Sequence, residues 1–396
     1  MFKRVVDFLK QEAVFRTFHY YFLFISMGLG VGISGPTLPA LAAQTNTRLG
    51  QMGFVFLLSS VGYTLGTILG GRLLDRLPGH RVLGVAQCCT AGLIFFLPVV
   101  PWFWVLLLII MLKGVADGLI NGVNTLLVWT HGDNAGPFIN ALHFFFGLGA
   151  FVSPLVVARL IANPDGYRWA YWGVGIFGML VGLRLLFLPG SPKPEHSHND
   201  GSGAPVRIFY PLVIGAMLYL FFYVGAEITF GGWLYTYTTT LNLLNASGAA
   251  YLTSGFWLAF TIGRLISIPL ASHFKPQQVI PAALIGCLAI STLLYVFPPA
   301  PGLLWLVTVV LGLCMAPLWA MGYTFAGQSI KLTARLSAII LLGDSLGGMF
   351  LPWVVGQVID LTGPQAVISL MVVSIFLCLL VFIFMLQMMK NNLVTT

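Results

Sequence analysis

The sequence predicts an all-α membrane protein of twelve transmembrane helices, built as two six-helix repeats of the same orientation. Three observations carry that expectation. Hydrophobic residues make up 58% of the 396 and charged ones 8%, against about a quarter charged in an ordinary soluble domain. Polar or Pro/Gly punctuation cuts the chain into twelve apolar runs, each near the roughly 20 residues a helix needs to cross a bilayer. The chain also resembles itself at an offset of about half its length.

In order, the expected spans are 17–43, 50–75, 80–100, 103–129, 136–161, 168–188, 209–239, 247–272, 277–297, 301–327, 334–360 and 364–389. The longest interval that is not apolar, "PGSPKPEHSHNDGSGAPVR", separates the sixth span from the seventh. The expected organisation is therefore a cytoplasmic N-terminal segment 1–16, a six-helix bundle 17–188, a cytoplasmic linker 189–208, a second bundle 209–389 and a cytoplasmic tail 390–396. His196 and His198 in the linker could hold a metal, but a solvated Pro/Gly/Ser-rich connector accounts for them. The amphipathic start "MFKRVVDFLKQEAVFRTFHYY" has no small-residue cleavage site before the first run, so no signal peptide is expected.

Lys/Arg bias sets the orientation. With the N-terminus inside, Lys3, Arg4, Lys10, Arg16, Arg72, Arg76, Arg81, Arg184, Lys193, Arg207, Arg264, Lys275, Lys331, Arg335 and Lys390 are cytoplasmic, and only Arg48, Arg159 and Arg168 fall outside. Both termini are thus expected in the cytoplasm, with the chain multi-pass in a plasma (inner) membrane of bacterial type. The net charge of +8 sits in short loops without interleaved aromatics, which argues against nucleic acid. Five cysteines lie inside apolar runs without metal or disulfide spacing.

The internal repeat is specific at several positions. "LGAFVSPLVV" (148–157) falls on "LGGMFLPWVV" (346–355), and Gly114 falls on Gly312 at the same offset. "GRLLDRLPGHRVL" (71–83) meets "GRLISIPLASHFKPQQVI" (263–280), where Gly263 and Arg264 survive but the aspartate does not. Parallel repeats suit a rocking transporter with a site at the midplane between halves.

The loop "GGRLLDRLPGHRVL" resembles the signature loop of the major facilitator superfamily at Gly71, Leu73, Asp75, Arg76, Gly79 and Arg81. That resemblance implies the major facilitator fold. Asp75 beside Arg72, Arg76 and Arg81 has the charges for a cytoplasmic conformational latch that includes Gly71 and Gly79; inside positives alone would serve as a topology signal. "GPTLPALA" (35–42), "GPFINALHFFFGLGAFVSPL" (136–155) and "FYVGAEITFGGWLYTY" (222–237) resemble the branch containing sodium-dependent glucose transporters of this superfamily, related to bacterial fucose and glucose/galactose permeases. The branch implies a hexose carrier driven by H⁺ or Na⁺.

Ionisable groups within spans cost roughly 2.5–3.5 kcal/mol on insertion scales and so need a reason. In "MLKGVADGLINGVNTLLVW", Lys113, Asp117, Asn121 and Asn124 share one helical stripe. Either Lys113 and Asp117 merely neutralise each other, or Asp117 exchanges Lys113 for H⁺ or Na⁺ with asparagine oxygens completing a coupling-ion site. Glu227 lies in "YVGAEITFGGW", whose glycines permit a broken or closely packed helix, and Asp344 lies in "LLGDSLGG". Substrate-lining candidates are these two acids, Asn140 and His143 on the fifth span, Trp233, and Trp319 with Tyr323 one turn on. Trp319 offers a flat ring for a sugar face and an indole donor. Trp102, Trp104, Trp169 and Trp172 read as interfacial, and Gly28, Gly30 and Gly32 as helix packing.

No P-loop and no HExxH pair occurs, so neither nucleotide hydrolysis nor zinc chemistry is expected. The expected partners are a small hydrophilic substrate and the bilayer, with no cofactor, no nucleic acid and a monomeric state. An amphiphile exporter of the same superfamily and a non-transporting sensor stay open as alternatives.

Overall fold

The computed structural model describes residues 12–192, 210–329 and 334–394. Residues 1–11, 193–209, 330–333 and 395–396 lie outside them, and with them His196, His198, Lys3, Arg4, Lys10, Lys193, Arg207 and Lys331. The described residues form α1 (Glu12–Gly32), α2 (Ser34–Gln44), α3 (Gly53–Leu74), α4 (Gly79–Phe96), α5 (Phe103–Ile120), α6 (Val123–His131), α7 (Ala135–Leu160) and α8 (Gly166–Leu186). After the linker come α9 (Tyr210–Thr240), α10 (Ala246–His273), α11 (Pro276–Val296), α12 (Pro301–Met315), α13 (Leu318–Ser329), α14 (Ala334–Thr362) and α15 (Ala366–Val394). Eleven helices or continuous helix pairs are long and apolar enough to span a membrane, and the bent pair α1–α2 makes twelve.

Three of the expected spans are broken, and local chemistry explains each break. The first bends by 50° between Gly32 and Ser34; Pro36 has no N–H to donate to the Gly32 carbonyl, which cuts the ladder there. The tenth breaks between α12 and α13 at Pro317 for the same reason. The fourth breaks at Asn121–Gly122, between α5 and α6. Here Asn124 Nδ2 donates to the backbone oxygen of Asn121 at 3.0 Å and to its Oδ1 at 2.9 Å. A side chain thus supplies donors where the helical ladder is interrupted, as irregular backbone in a membrane segment requires. The seventh span, where glycines permitted a break, is one unbroken helix of 31 residues. Its Gly225 and Gly232 are instead points of close approach by Leu351 and Phe56.

The chain divides into two compact units at the linker, with one departure: Arg48–Leu57 groups with the helices after the linker. That segment carries a short 3₁₀ turn, Leu49–Met52, and packs on α14. The Gly50 N–H donates to Asp360 Oδ1 at 3.1 Å.

Within each unit the same three helix pairings recur. In the first, α1 packs on α7, α3 on α5 and α4 on α8; in the second, α9 packs on α14, α10 on α12 and α11 on α15. The repeat glycines mark these crossings. A Cβ on Gly149 would overlap the Ile25 carbonyl, and one on Gly347 the Phe221 carbonyl. A Cβ on Gly114 would overlap the Ser59 carbonyl, and one on Gly312 would stand 2.8 Å from the Phe256 carbonyl. Small residues that bring backbones together replace the hydrophobic drive that lipid cannot supply. Large apolar side chains such as Ile68, Leu180, Phe187 and Leu361 face outward, as expected of a lipid-facing surface.

Residues 343–347, GDSLG, spell the Gly-x-Ser-x-Gly of a hydrolase nucleophile. They lie inside the continuous helix α14, whereas that chemistry needs a sharp strand-to-helix turn.

Gly347→Leu should therefore lower the thermal stability of the detergent-purified protein by about 1–3 kcal/mol or prevent folding. Gly71→Ala, where nothing lies within 4 Å of the added Cβ, should leave it unchanged or slightly raised. Paired melting curves check both.

Candidate functional site

Among the described residues of the first unit lies a buried ion pair. Lys113 Nζ reaches Asp117 Oδ2 at 2.6 Å, and Thr90 Oγ1 on α4 donates to Asp117 Oδ1 at 3.0 Å. Both carboxylate oxygens are thereby occupied, and Asp117 is only 6% exposed. Gly30 lies beside the ammonium: a Cβ there would stand 3.5 Å from Lys113 Nζ. Gly28 and Gly32 of α1 seat α7, whereas Gly30 between them faces the lysine at ordinary contact distance.

The four-residue stripe does not act as one group. Lys113 and Asp117 form a closed pair, whereas Asn121 and Asn124 bond to each other across the helix break one turn on. A neighbouring polar contact on α4, Gln87 Nε2 to Ser26 Oγ at 2.8 Å, leaves Gln87 Oε1 buried without a partner. On α7, Asn140 is exposed and His143 half-buried, with its ring edge-on to Phe24 at 5.7 Å.

The second unit gathers a mixed set. Glu227 is 7% exposed and accepts a 2.6 Å hydrogen bond from Tyr223 Oη one helical turn earlier. Asp344 on α14 accepts from the Trp319 indole of α13 and interacts electrostatically with Glu227. Arg264 acts on both carboxylates from α10, and its guanidinium sits over the Phe260 ring at 4.5 Å. Trp319 and Tyr323 stack, rings 10° apart with centroids at 5.7 Å, and both are partly exposed. Four helices therefore bring two acids, a guanidinium and an aromatic platform together.

Trp233 sits elsewhere. It is fully buried, its indole N–H donates to the Pro352 carbonyl at 3.0 Å, and Phe56 lies against it at 5.8 Å. Trp257 belongs to an aromatic cluster with Phe256 and Phe260. Trp102, Trp104 and Trp169 are more than 60% exposed, as an interfacial belt requires.

In the signature loop, Arg72, Asp75, Arg76 and Arg81 are exposed. The loop is anchored by two other residues. Gly79 packs at the Leu126 side chain, and buried His80 bonds Tyr20 Oη at 2.7 Å through Nε2 and the Leu188 carbonyl at 3.1 Å through Nδ1. The second bond fixes the proton on Nδ1, so Tyr20 donates to Nε2.

Sequence reasoning missed Arg264, Tyr223 and His80. The charge bias places Arg264 among the cytoplasmic cations although it lies inside the expected span 247–272; helix α10 runs on nine residues past it, to His273. The signal for Tyr223 was present, a phenol four residues before an unpaired glutamate.

A family model described as Major Facilitator Superfamily matches residues 20–352. Among curated relatives, sodium-dependent glucose transporter 1 of Xenopus laevis is 31% identical over 359 residues, covering 83% of this chain and 72% of its own. The human protein of that name is 30% identical over 370 residues (84% and 71% covered), and mouse transporter 1A is 29% identical over 372 (85% and 88%). Among solved structures, the nucleoside transporter NupG gives a TM-score of 0.73 at 14% identity, covering 96% of this chain and 99% of its own. A partially occluded inward-open form of the E. coli xylose transporter XylE gives 0.72 at 16% (92% and 97%), and the outward form of FucP gives 0.62 at 18% (96% and 99%).

Removing one partner of the buried pair should be costly: Lys113→Met leaves Asp117 uncompensated and should destabilise by about 3–5 kcal/mol. Lys113→Met combined with Asp117→Asn should recover most of that loss, which a double-mutant melting cycle measures.

Proposed function

Given that the chain belongs to the Major Facilitator Superfamily, and so is a membrane transporter and not an enzyme, we propose that it moves a hexose such as glucose by alternating access coupled to H⁺ or Na⁺. The observation that carries this reading is the Trp319–Tyr323 stack with Asp344 on the indole and Glu227 beside it. A pyranose offers an apolar face for a flat ring and a rim of hydroxyls for carboxylates and indole N–H. That combination of a flat ring and several hydrogen-bonding groups is what distinguishes a sugar from an amphiphile, which needs a wide apolar surface and few hydrogen-bond partners.

The names of the relatives support the same substrate class. Uptake has a clear physical form here: sugar replaces water on the aromatic platform, its hydroxyls take over the bond that Trp319 makes to Asp344, and the coupling cation offsets the buried negative charge. Asn140 and His143, partly exposed on α7, are further candidates for hydroxyl contacts. The exposed Asp75 with Arg72, Arg76 and Arg81 is free to form the cytoplasmic latch in another state of the cycle, with His80 and Gly79 keeping the loop in register. The protein works as a monomer with both termini in the cytoplasm, in a plasma membrane of bacterial type.

Radiolabelled D-glucose should accumulate in proteoliposomes under an imposed Na⁺ or proton gradient, and the gradient that drives it identifies the cation. Trp319→Ala should weaken sugar binding by about tenfold, near 1.4 kcal/mol, with Trp233→Phe leaving it unchanged. Equal glucose affinity in wild type and Trp319→Ala would remove the platform from the site.

A further inference from the structure

The two units differ in how their intramembrane charges balance. In the first, Asp117 is met by Lys113 at 2.6 Å and by the Thr90 hydroxyl, so the pair is neutral and both carboxylate oxygens are used. A cation entering there has to displace an ammonium already in contact. In the second, Glu227 and Asp344 stand on helices α9 and α14, which cross closely where Gly347 meets Phe221 and Gly348 meets Val224 and Ile228, and one guanidinium, Arg264, acts on both carboxylates electrostatically. The ionised set carries one uncompensated negative charge.

Within the second unit no other described group around it offers the missing positive charge. From α9 itself come Tyr219 and Tyr223, from α13 Tyr323, from α11 Cys287 and from α15 Cys378, whose thiol donates to the Tyr219 carbonyl. Phenols and thiols are neutral near pH 7 or become anions; none becomes a cation. Arg264 is divided between two acids and makes its close contact to the Phe260 ring. Glu227 meanwhile receives a neutral donor, the Tyr223 hydroxyl. A lone negative charge is costly in a membrane interior, so a cation has to accompany it.

Resting on the transporter reading above, we propose that the coupling cation binds in the second unit, as one positive charge shared by Glu227 and Asp344 around Arg264. Asp117 is thereby not the cation site; Lys113 permanently occupies that role in the first unit. This arrangement ties coupling to the sugar, because Asp344 holds the Trp319 indole of the aromatic platform. Sugar arriving at Trp319 and a cation arriving at Asp344 act on one hydrogen bond, which makes the two binding events interdependent.

The test needs no transport. Infrared difference spectra of the purified protein in lipid, between alkaline and neutral pH, read carboxyl protonation directly; at fixed alkaline pH, added Na⁺ reads metal binding through the carboxylate stretches. The expected result is one such signal in wild type, lost in both Glu227→Gln and Asp344→Asn. The signal should remain in the Lys113→Met/Asp117→Asn double variant. Arg264→Gln, which removes the internal counter-charge, should strengthen it, since a second negative charge then needs neutralising. Which arm responds, pH or Na⁺, names the cation. The proposal is overturned if the signal survives in Glu227→Gln and Asp344→Asn, if it is lost only in the double variant, or if wild type responds to neither. Failure of glucose to accumulate in wild-type proteoliposomes alongside the expected spectra would reject the hexose reading and uphold the cation site.

Discussion

A charge placed in hydrocarbon must be neutralised where it sits, and the polar architecture of this chain follows from that constraint. The first unit meets it internally: Lys113 and Asp117 stand one turn apart on α5, and Thr90 satisfies the second oxygen. The second spreads its charges across helices, drawing Glu227, Arg264 and Asp344 from α9, α10 and α14, and leaves a bound cation to complete the balance. An ion pair on one helix is a fixed object. A charge set spread over three helices changes whenever those helices shift, which suits it to a transport cycle.

The backbone obeys the same rule. Each broken span lies where proline or an Asn–Gly pair interrupts the ladder, and at the Asn–Gly break the Asn124 side chain donates to the Asn121 backbone and side-chain oxygens. Their polarity serves the helix break first. The fourth and tenth spans, equivalents in the repeat, both carry such an interruption, although one uses Asn121–Gly122 and the other Pro317. Duplication has preserved the break while its chemistry changed.

Close helix crossings make both polar devices possible. Gly114 and Gly149 in one unit and Gly312 and Gly347 in the other sit against carbonyls of the facing helix. At that separation a side chain from one helix reaches the next, as Thr90 reaches Asp117. The signature loop shows a related economy: its charged residues are exposed, while Gly79 and His80 tie it to α6, to α1 and to the end of α8.

The sequence alone determined the membrane class, the number of spans, the linker and the repeat, because these are one-dimensional: run length, punctuation and offset. It also exposed the Lys113–Asp117 pair, since residues four apart on a helix are neighbours whatever surrounds them. Tertiary structure decided the rest. Trp233 and Trp319 are the same residue type in similar apolar runs, yet one is sealed against Pro352 and the other holds Asp344. Arg264 counts as a cytoplasmic cation by charge bias alone, and only the packing of α10 brings it to act on two acids. Which helix faces which is fixed by packing between residues from about fifty to more than a hundred positions apart, and no local pattern encodes it.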